Sequence, residues 1–275
     1  RPGPARGCGI KPLLPSDPNP PLPVSVVIVA KNEERNLPRC LRSVQGWAVE
    51  IIVALNDTTD TSEAVARAAG AQVHHLPWQG YRDTKNAALA LASHNWILSL
   101  DADEEVSPTL RDEIRAFFGD VDQYSAARFP RKVWFIDRWI THGDWYPDYS
   151  LRLFRRDRAR WGGDAFVHEK IECDGDVATL RADLHHYSFP TLSSHVAKIN
   201  PFADLFLRQQ AARGTRFSLF AAVFRPGWRF FRAYVLRCGF LDGFPGLYIA
   251  WATAFGALVR YSRLYEAEQQ REPHA

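Results

Sequence analysis

The 275-residue chain contains no methionine and four cysteines, Cys8, Cys40, Cys173 and Cys238, with no two close together. That scatter excludes a zinc ribbon or a disulfide framework and places the protein in a reducing compartment. No apolar run reaches the roughly 20 residues of a spanning helix; the longest, Phe244 to Val259, falls short. The first 23 residues hold eight prolines and no apolar core of the kind a secretory signal needs, so they read as a disordered leader. The chain starts without an initiating Met and is read as trimmed. A formal charge of +3 is too small to define a nucleic-acid binder. Also missing are a Gly-rich dinucleotide loop after the first strand, a Walker loop and a Gly-x-Ser-x-Gly elbow. His168-Glu169-Lys170-Ile171-Glu172 approaches a zinc-protease helix, but Glu172 stands where the second His is required, which removes that metal site.

What is present is an apolar run, Trp96-Ile97-Leu98-Ser99-Leu100, that stops in a cluster of acids, Asp101-Ala102-Asp103-Glu104-Glu105. It reads as a buried strand delivering carboxylates to a sheet edge. Asp-x-Asp occurs again at Asp120/Asp122 and Asp174/Asp176, but only the first follows a central-strand pattern. Residues two apart on extended chain point to one side, so both carboxylates can face a hard divalent cation that bridges to phosphate oxygens. The plain alternative is a solvated turn in which Asp103 or Ser107 caps a helix starting near Pro108.

Short apolar runs alternate with amphipathic stretches from Val24 onward. The pattern predicts strands at 24–30, 50–55 and 72–76, and helices at 33–45, 58–69 and 82–93, before the strand that ends at Asp101. That rhythm means an α/β fold, Rossmann-like, with a mostly parallel sheet covered on both faces. Residues 124–190 carry short β-like runs rich in Trp, Tyr and Arg. From Thr191 the chain is helical again. Between Asp204 and Asp242 seven arginines (Arg208, Arg213, Arg216, Arg225, Arg229, Arg232, Arg237) are interleaved with aromatics and no carboxylate. Such a stretch suits an anionic membrane surface, or else is core aromatics under a solvated basic face. No recognisable nucleic-acid module accompanies it, so no nucleic-acid partner is expected. Three segments follow: a leader at 1–23, a catalytic domain at 24–190, and a membrane-associated helical region at 191–275.

Polar groups gather at three strand ends: Ala30-Lys31-Asn32-Glu33-Glu34, Asn56-Asp57-Thr58-Thr59-Asp60 and Asp101-Ala102-Asp103. In this order the chain resembles the family 2 glycosyltransferases, which have the nucleotide-sugar-binding glycosyltransferase-A fold. Trp78-Gln79-Gly80-Tyr81, Trp96 to Glu104, Arg152-Leu153-Phe154, Val167-His168-Glu169 and Gly239-Phe240-Leu241-Asp242-Gly243 look like the branch that adds a glucose to the lipopolysaccharide inner core. The resemblance implies that Lys31, Asn32 and Glu33 lie by the nucleoside and that Asp57, with Asp60 nearby, binds the uracil. It further implies that Asp101 approaches the ribose and diphosphate, and that Asp103 with Asp101 holds Mg²⁺ or Mn²⁺. One departure is the missing glycine after the acid of Asn56-Asp57-Thr58-Thr59.

Inverting transfer needs a base for the acceptor hydroxyl. Glu169 is the first candidate and Asp148 the second; for each, an ion pair with a nearby arginine is the plain alternative. Arg152 is expected to clamp a diphosphate or to pair with Asp148. His185-His186 is a candidate additional metal ligand or a structural pair. The functional expectation is a metal-dependent inverting hexosyltransferase, with glucose as the first choice of hexose. It would take a UDP-sugar and a lipopolysaccharide-core or other lipid-linked acceptor, and act in the cytoplasm on the inner face of the membrane. Transfer to a polyprenyl phosphate, or a catalytically silent nucleotide- or membrane-binding scaffold, are the alternatives.

Overall fold

The computed structural model describes residues 20–163 and 170–271. The N-terminal half runs β1 (Leu22–Ala30), α1 (Leu37–Val44), β2 (Ala48–Leu55), α2 (Ser62–Ala68), β3 (Gln72–His75), α3 (Tyr81–Leu89) and β4 (Trp96–Asp101). These four strands are parallel, in the order β3-β2-β1-β4. The middles of β1, β2 and β4 are almost entirely apolar and buried, which is what a sheet covered on both faces demands.

β5 (Glu104–Val106) and α4 (Pro108–Phe117) follow, with the Ser107 side chain accepting from Leu110 N, so Ser107 is the cap of α4. Then come β6 (Ala126–Phe135), β7 (Arg138–Trp139), β8 (Asp148–Arg155), β9 (Ala159–Gly162), β10 (Lys170–Cys173), β11 (Val177–Thr179) and β12 (Leu184–Phe189). β8 lies antiparallel on β4 and β6 antiparallel on β8, so the sheet becomes mixed beyond β4. β12 then runs parallel to β6 and antiparallel to β5. This last pairing returns the chain to the acidic cluster, and Tyr187 N donates to Asp103 O at 2.9 Å.

The helices α5 (Leu192–Ala197), α6 (Ile199–Ala212), α7 (Leu219–Phe231) and α8 (Gly243–Arg271) complete the chain. α8 is fastened to the sheet through Ile249, which packs with Phe135 and Ile140. A second anchor is Asp242, only 5% exposed, whose carboxylate accepts from the backbone N–H of Thr141 and His142 and from the Thr141 hydroxyl. The sequence Gly239-Phe240-Leu241-Asp242-Gly243 thus owes its composition to docking. A Cβ on Gly239 would stand 2.7 Å from Ala233 O, and one on Gly246 would meet the Gly239 carbonyl oxygen. Among the described residues no helix is long and apolar enough to cross a membrane.

Two helices begin later than the periodicity predicts. α1 starts at Leu37 rather than Glu33: Asn32 adopts a left-handed φ of 55°, and a turn in which Glu33 O accepts from the N–H groups of Asn36 and Leu37 leads into the helix. α2 starts at Ser62 rather than Thr58, because Asp60 Oδ1 accepts from Ser62 N and Glu34 Oε2 accepts from Thr61 N and Oγ1. Both delays leave polar loops at the strand ends. β1 also reaches back to Leu22, two residues into the segment read as leader; residues 1–19 lie outside the described part.

Candidate active site

A cavity of about 670 Å³ opens beyond the carboxyl ends of β1 and β4, the position at which open α/β sheets bind ligands. Lys31, Glu33, Asp101 and Asp103 line it together. Burial, and the charges of Asp103, Asp60 and Asp101, push the Glu33 carboxyl up, against a 2.8 Å hydrogen bond from Asn36 Nδ2 that pulls it down.

Asn32, Asp57 and Asp60 do not line the cavity; they shape its rim. Asn32 Oδ1 accepts from Thr59 N at 2.8 Å, which joins the loops after β1 and β2. Asp57 Oδ2 lies 3.5 Å from Lys31 Nζ. Asp57 itself takes the left-handed conformation (φ 45°), a region that Asp tolerates better than most side chains. Asp60 bridges Glu34 N and Ser62 N and so holds the two loops together.

The acids after β4 have divided roles. Asp101 Oδ1 lies 3.0 Å from Lys85 Nζ, and its Oδ2 lies 2.5 Å from Arg152 Nη2. Burial alone would raise the Asp101 carboxyl, but these two cations outweigh it and hold it well below the usual carboxylate range. Arg152 is 3% exposed and also reaches Glu104 Oε1 at 2.7 Å. It sits beneath the acids, outside the cavity lining, and the partner of Asp148 is instead Arg131, at 2.6 Å. Arg131 and Asp148 are directly opposed in the β6–β8 register, which sets up that pair.

Asp103 carries no such pair of cations. Its neighbour is His186, whose Nε2 lies 3.4 Å from Asp103 Oδ2. Burial raises the Asp103 carboxyl, and the His186 contact reverses this, so the group is held below its ordinary value. Strand alternation sends His185 the other way, where it stacks on Trp139 at 4.2 Å; burial pushes its pKa down. Of the two histidines, only His186 lines the cavity.

An acid and an imidazole form a plausible donor pair for Mn²⁺, and Asp103 alone suits Mg²⁺, which is commonly held by one or two carboxylates plus substrate phosphates and water. Among the described residues no group of three or more His, Cys, Asp or Glu side chains forms a complete cage. Asp103 and His186 thus offer two donors, and a cation held by them would need further oxygens from a phosphate ligand or water. Glu169 lies outside the described residues.

Lys85, Arg131, Ser188 and Lys198 complete the lining and were not singled out from sequence. Lys85 is the one with a local signal: it is a lone cation on the buried side of the Ala-rich α3, and it lies 4.2 Å from the Trp161 ring centroid. The others arrive from β6, β12 and the start of α6.

The chain is similar to known glycosyltransferases. The family model described as glycosyl transferase family 2 matches residues 25–170. An uncharacterized glycosyltransferase of Rickettsia bellii is 29% identical over 91% of this chain and 88% of its own. The lipopolysaccharide core biosynthesis glycosyltransferase LpsC of Rhizobium meliloti is 30% identical over 86% of this chain and 92% of its own. The crystal structure of S. aureus TarS 1–349 aligns over 92% of this chain and 93% of that chain, at 14% identity and a TM-score of 0.46. With its glycosyltransferase-A architecture and an acidic strand end facing the cavity, the chain belongs to glycosyl transferase family 2 and is a transferase.

Proposed function

We propose that the protein is a metal-dependent inverting glycosyltransferase that moves a hexose, glucose in the first instance, from a UDP-sugar to a lipopolysaccharide-core or other lipid-linked acceptor. The observation that carries this reading is the convergence of Lys31, Glu33, Asp101 and Asp103 on one cavity beyond the parallel strands. Lipopolysaccharide as the acceptor class rests on the similarity to LpsC.

In this reading the rim loops built by Asn32, Asp57 and Asp60 receive the nucleoside, and Lys31 offers a cation to the donor. Asp103, with His186 beside it, would hold Mg²⁺ or Mn²⁺. That ion would supply counter-charge to the departing diphosphate. Asp101 acts through its fixed ion pairs, which keep it ionised and immobile at the cavity wall. A base takes the proton of the acceptor hydroxyl, the freed oxygen attacks the anomeric carbon from the face opposite the leaving group, and the bond to the diphosphate breaks with its electron pair going to UDP. Glu169 is the first candidate for that base. Asp148 is the second; it lines the adjoining cavity, where Arg131 holds one of its oxygens.

Attachment to the inner face of the cytoplasmic membrane is part of the same proposal. Phe220, Phe224 and Trp228 on α7 and Phe244, Trp251 and Phe255 on α8 are all exposed, against the alternative of core aromatics. A large exposed apolar surface on a chain with a basic helical region is the pattern of an interfacial anchor.

Calorimetric titration with UDP, with and without Mn²⁺, tests the site. Metal-dependent binding that disappears in Asp103→Ala supports the reading, and absence of UDP binding to the folded protein removes it.

A further inference from the structure

A second cavity, of about 580 Å³, adjoins the first and shares Arg131, His186 and Lys198 with it. Its charge is one-sided. Arg131, Lys198, Arg229, Arg232, Arg237 and Arg260 all line it, against the carboxylates of Asp144 and Asp148. Those two acids are already engaged: Asp148 by Arg131, and Asp144 by both Arg232 at 3.3 Å and Arg237 at 3.5 Å. Lys198, Arg229 and Arg260 have no carboxylate within ion-pair distance among the described residues. Burial and the nearby charge of Arg229 lower the pKa of Arg260, with Tyr261 opposing them in part.

Unpaired cations converging on a concave, partly buried space repel one another, and an anion placed among them converts that repulsion into attraction. Guanidinium groups suit this task, because their planar forks match carboxylate and phosphate oxygens two at a time. A neutral glycan would leave the positive charges uncompensated. The cavity walls also include the Trp145 ring, an apolar surface against which a sugar can lie, and the Phe189 ring, over which Lys198 Nζ sits at 4.6 Å.

We propose that this cavity is the acceptor site and that it selects an anionic acceptor, a glycan carrying phosphate or carboxylate groups beside the hydroxyl that is glycosylated. The proposal rests on the donor reading above and deepens it. Phosphate and carboxylate present the same chemistry to arginine. The cations come from β6, the start of α6, α7, the turn after it, and α8, so the C-terminal helices are part of the substrate site as well as a surface for the membrane.

The test uses the full chain saturated with UDP and Mg²⁺, titrated with glucose 6-phosphate, glucuronate and glucose as fragment probes. Wild type should bind the two charged sugars, and bind them more tightly than glucose. Arg229→Gln/Arg260→Gln should weaken binding of the charged sugars by about tenfold or more, the usual effect of losing charge-assisted contacts. The same variant should bind UDP within about twofold of wild type, since neither residue lines the donor cavity, which also shows that it is folded. Arg229→Lys/Arg260→Lys, which keeps the charge, should retain part of the affinity. Preference for phosphate over carboxylate, or the reverse, identifies which anion the site takes. Equal binding of glucose and glucose 6-phosphate, or charged-sugar binding unchanged in the glutamine variant, would overturn the proposal. So would a variant that keeps charged-sugar binding and loses only its attachment to phosphatidylglycerol vesicles, because the cations would then serve lipid headgroups. Failure of wild type to bind UDP is a separate result and falls on the donor reading.

Discussion

Arg152 Nη2 lies 2.5 Å from Asp101 Oδ2 and 2.7 Å from Glu104 Oε1, in a position almost closed to solvent. One guanidinium therefore neutralises two of the acids that end the central strand. Removing it leaves buried carboxylates without their main partner, which costs far more than the pair itself contributes. Arg152→Met is expected to lower stability by about 3–5 kcal/mol at neutral pH, measured by urea denaturation.

The same pair predicts a pH dependence. A carboxyl whose folded pKa lies below its unfolded value contributes stability that is fully present above the unfolded value, about 4, and is lost as pH falls toward the folded one. Asp101 and Asp103 are both held low, so wild type should lose stability progressively below about pH 4. Arg152→Met should lose less in that range, since Asp101 then keeps only Lys85, at 3.0 Å, to hold its carboxyl low. Parallel melting curves for the two proteins from pH 7 to 3 would expose an error in this assignment if their separation failed to shrink with falling pH.

Asp103 and His186 should separate in their effects. Asp103→Asn keeps the shape and removes the charge, and transfer is expected to fall by about 10² or more, because a counter-charge to the departing diphosphate acts on the transition state. His186→Ala is expected to weaken the Mn²⁺ contribution to UDP binding by about tenfold, as a supporting group does. Binding of UDP without metal should be nearly unchanged in both variants. An assay of sugar transfer checks the first statement, and calorimetry over a series of Mn²⁺ concentrations checks the two on binding.

Much of the fold is legible in the sequence. Strands β1, β2 and β4 can be read because both of their faces are buried, so continuous apolar runs such as Val26-Val27-Ile28-Val29-Ala30 mark them locally. Lys31, Glu33, Asp101 and Asp103 were legible because the ends of such strands are where loops carry function. Arg131 and Arg152 were not legible as partners, since β8 pairs with β4 and β6 with β8 across long stretches of sequence, and no local pattern encodes the register that sets Arg131 against Asp148. Nor could His186 be told from His185. Only the pairing of β12 with β5 decides which imidazole turns toward Asp103 and which toward Trp139.

Asp242 should be needed to keep the helical region in place. Its buried carboxylate accepts from Thr141 and His142 N–H groups and from the Thr141 hydroxyl, and the 3.1 Å contact to His142 Nδ1 adds a fourth partner. Asp242→Ala removes all of these and leaves buried donors unsatisfied, at a cost of about 3 kcal/mol or more. Hydrogen exchange should then show faster opening in 239–271 than in β1 to β4.

The exposed rings of α7 make the proposed membrane contact separable from the proposed anion site. Phe220 and Phe224 stack on each other at 5.4 Å and are 75% and 54% exposed, so replacing them does not open a core. Partition into a bilayer interface scales with the apolar area that enters it, and two phenyl rings are a large share of what one helix offers. Phe220→Glu/Phe224→Glu is therefore expected to reduce co-sedimentation with phosphatidylglycerol vesicles by about tenfold or more, with an unchanged melting temperature. If the helical region instead binds vesicles through its charge alone, the glutamine variant of Arg229 and Arg260 will release the protein and the phenylalanine variant will not. Comparing both variants at low and high salt separates the two contributions, because screening weakens the charge term and leaves the apolar one.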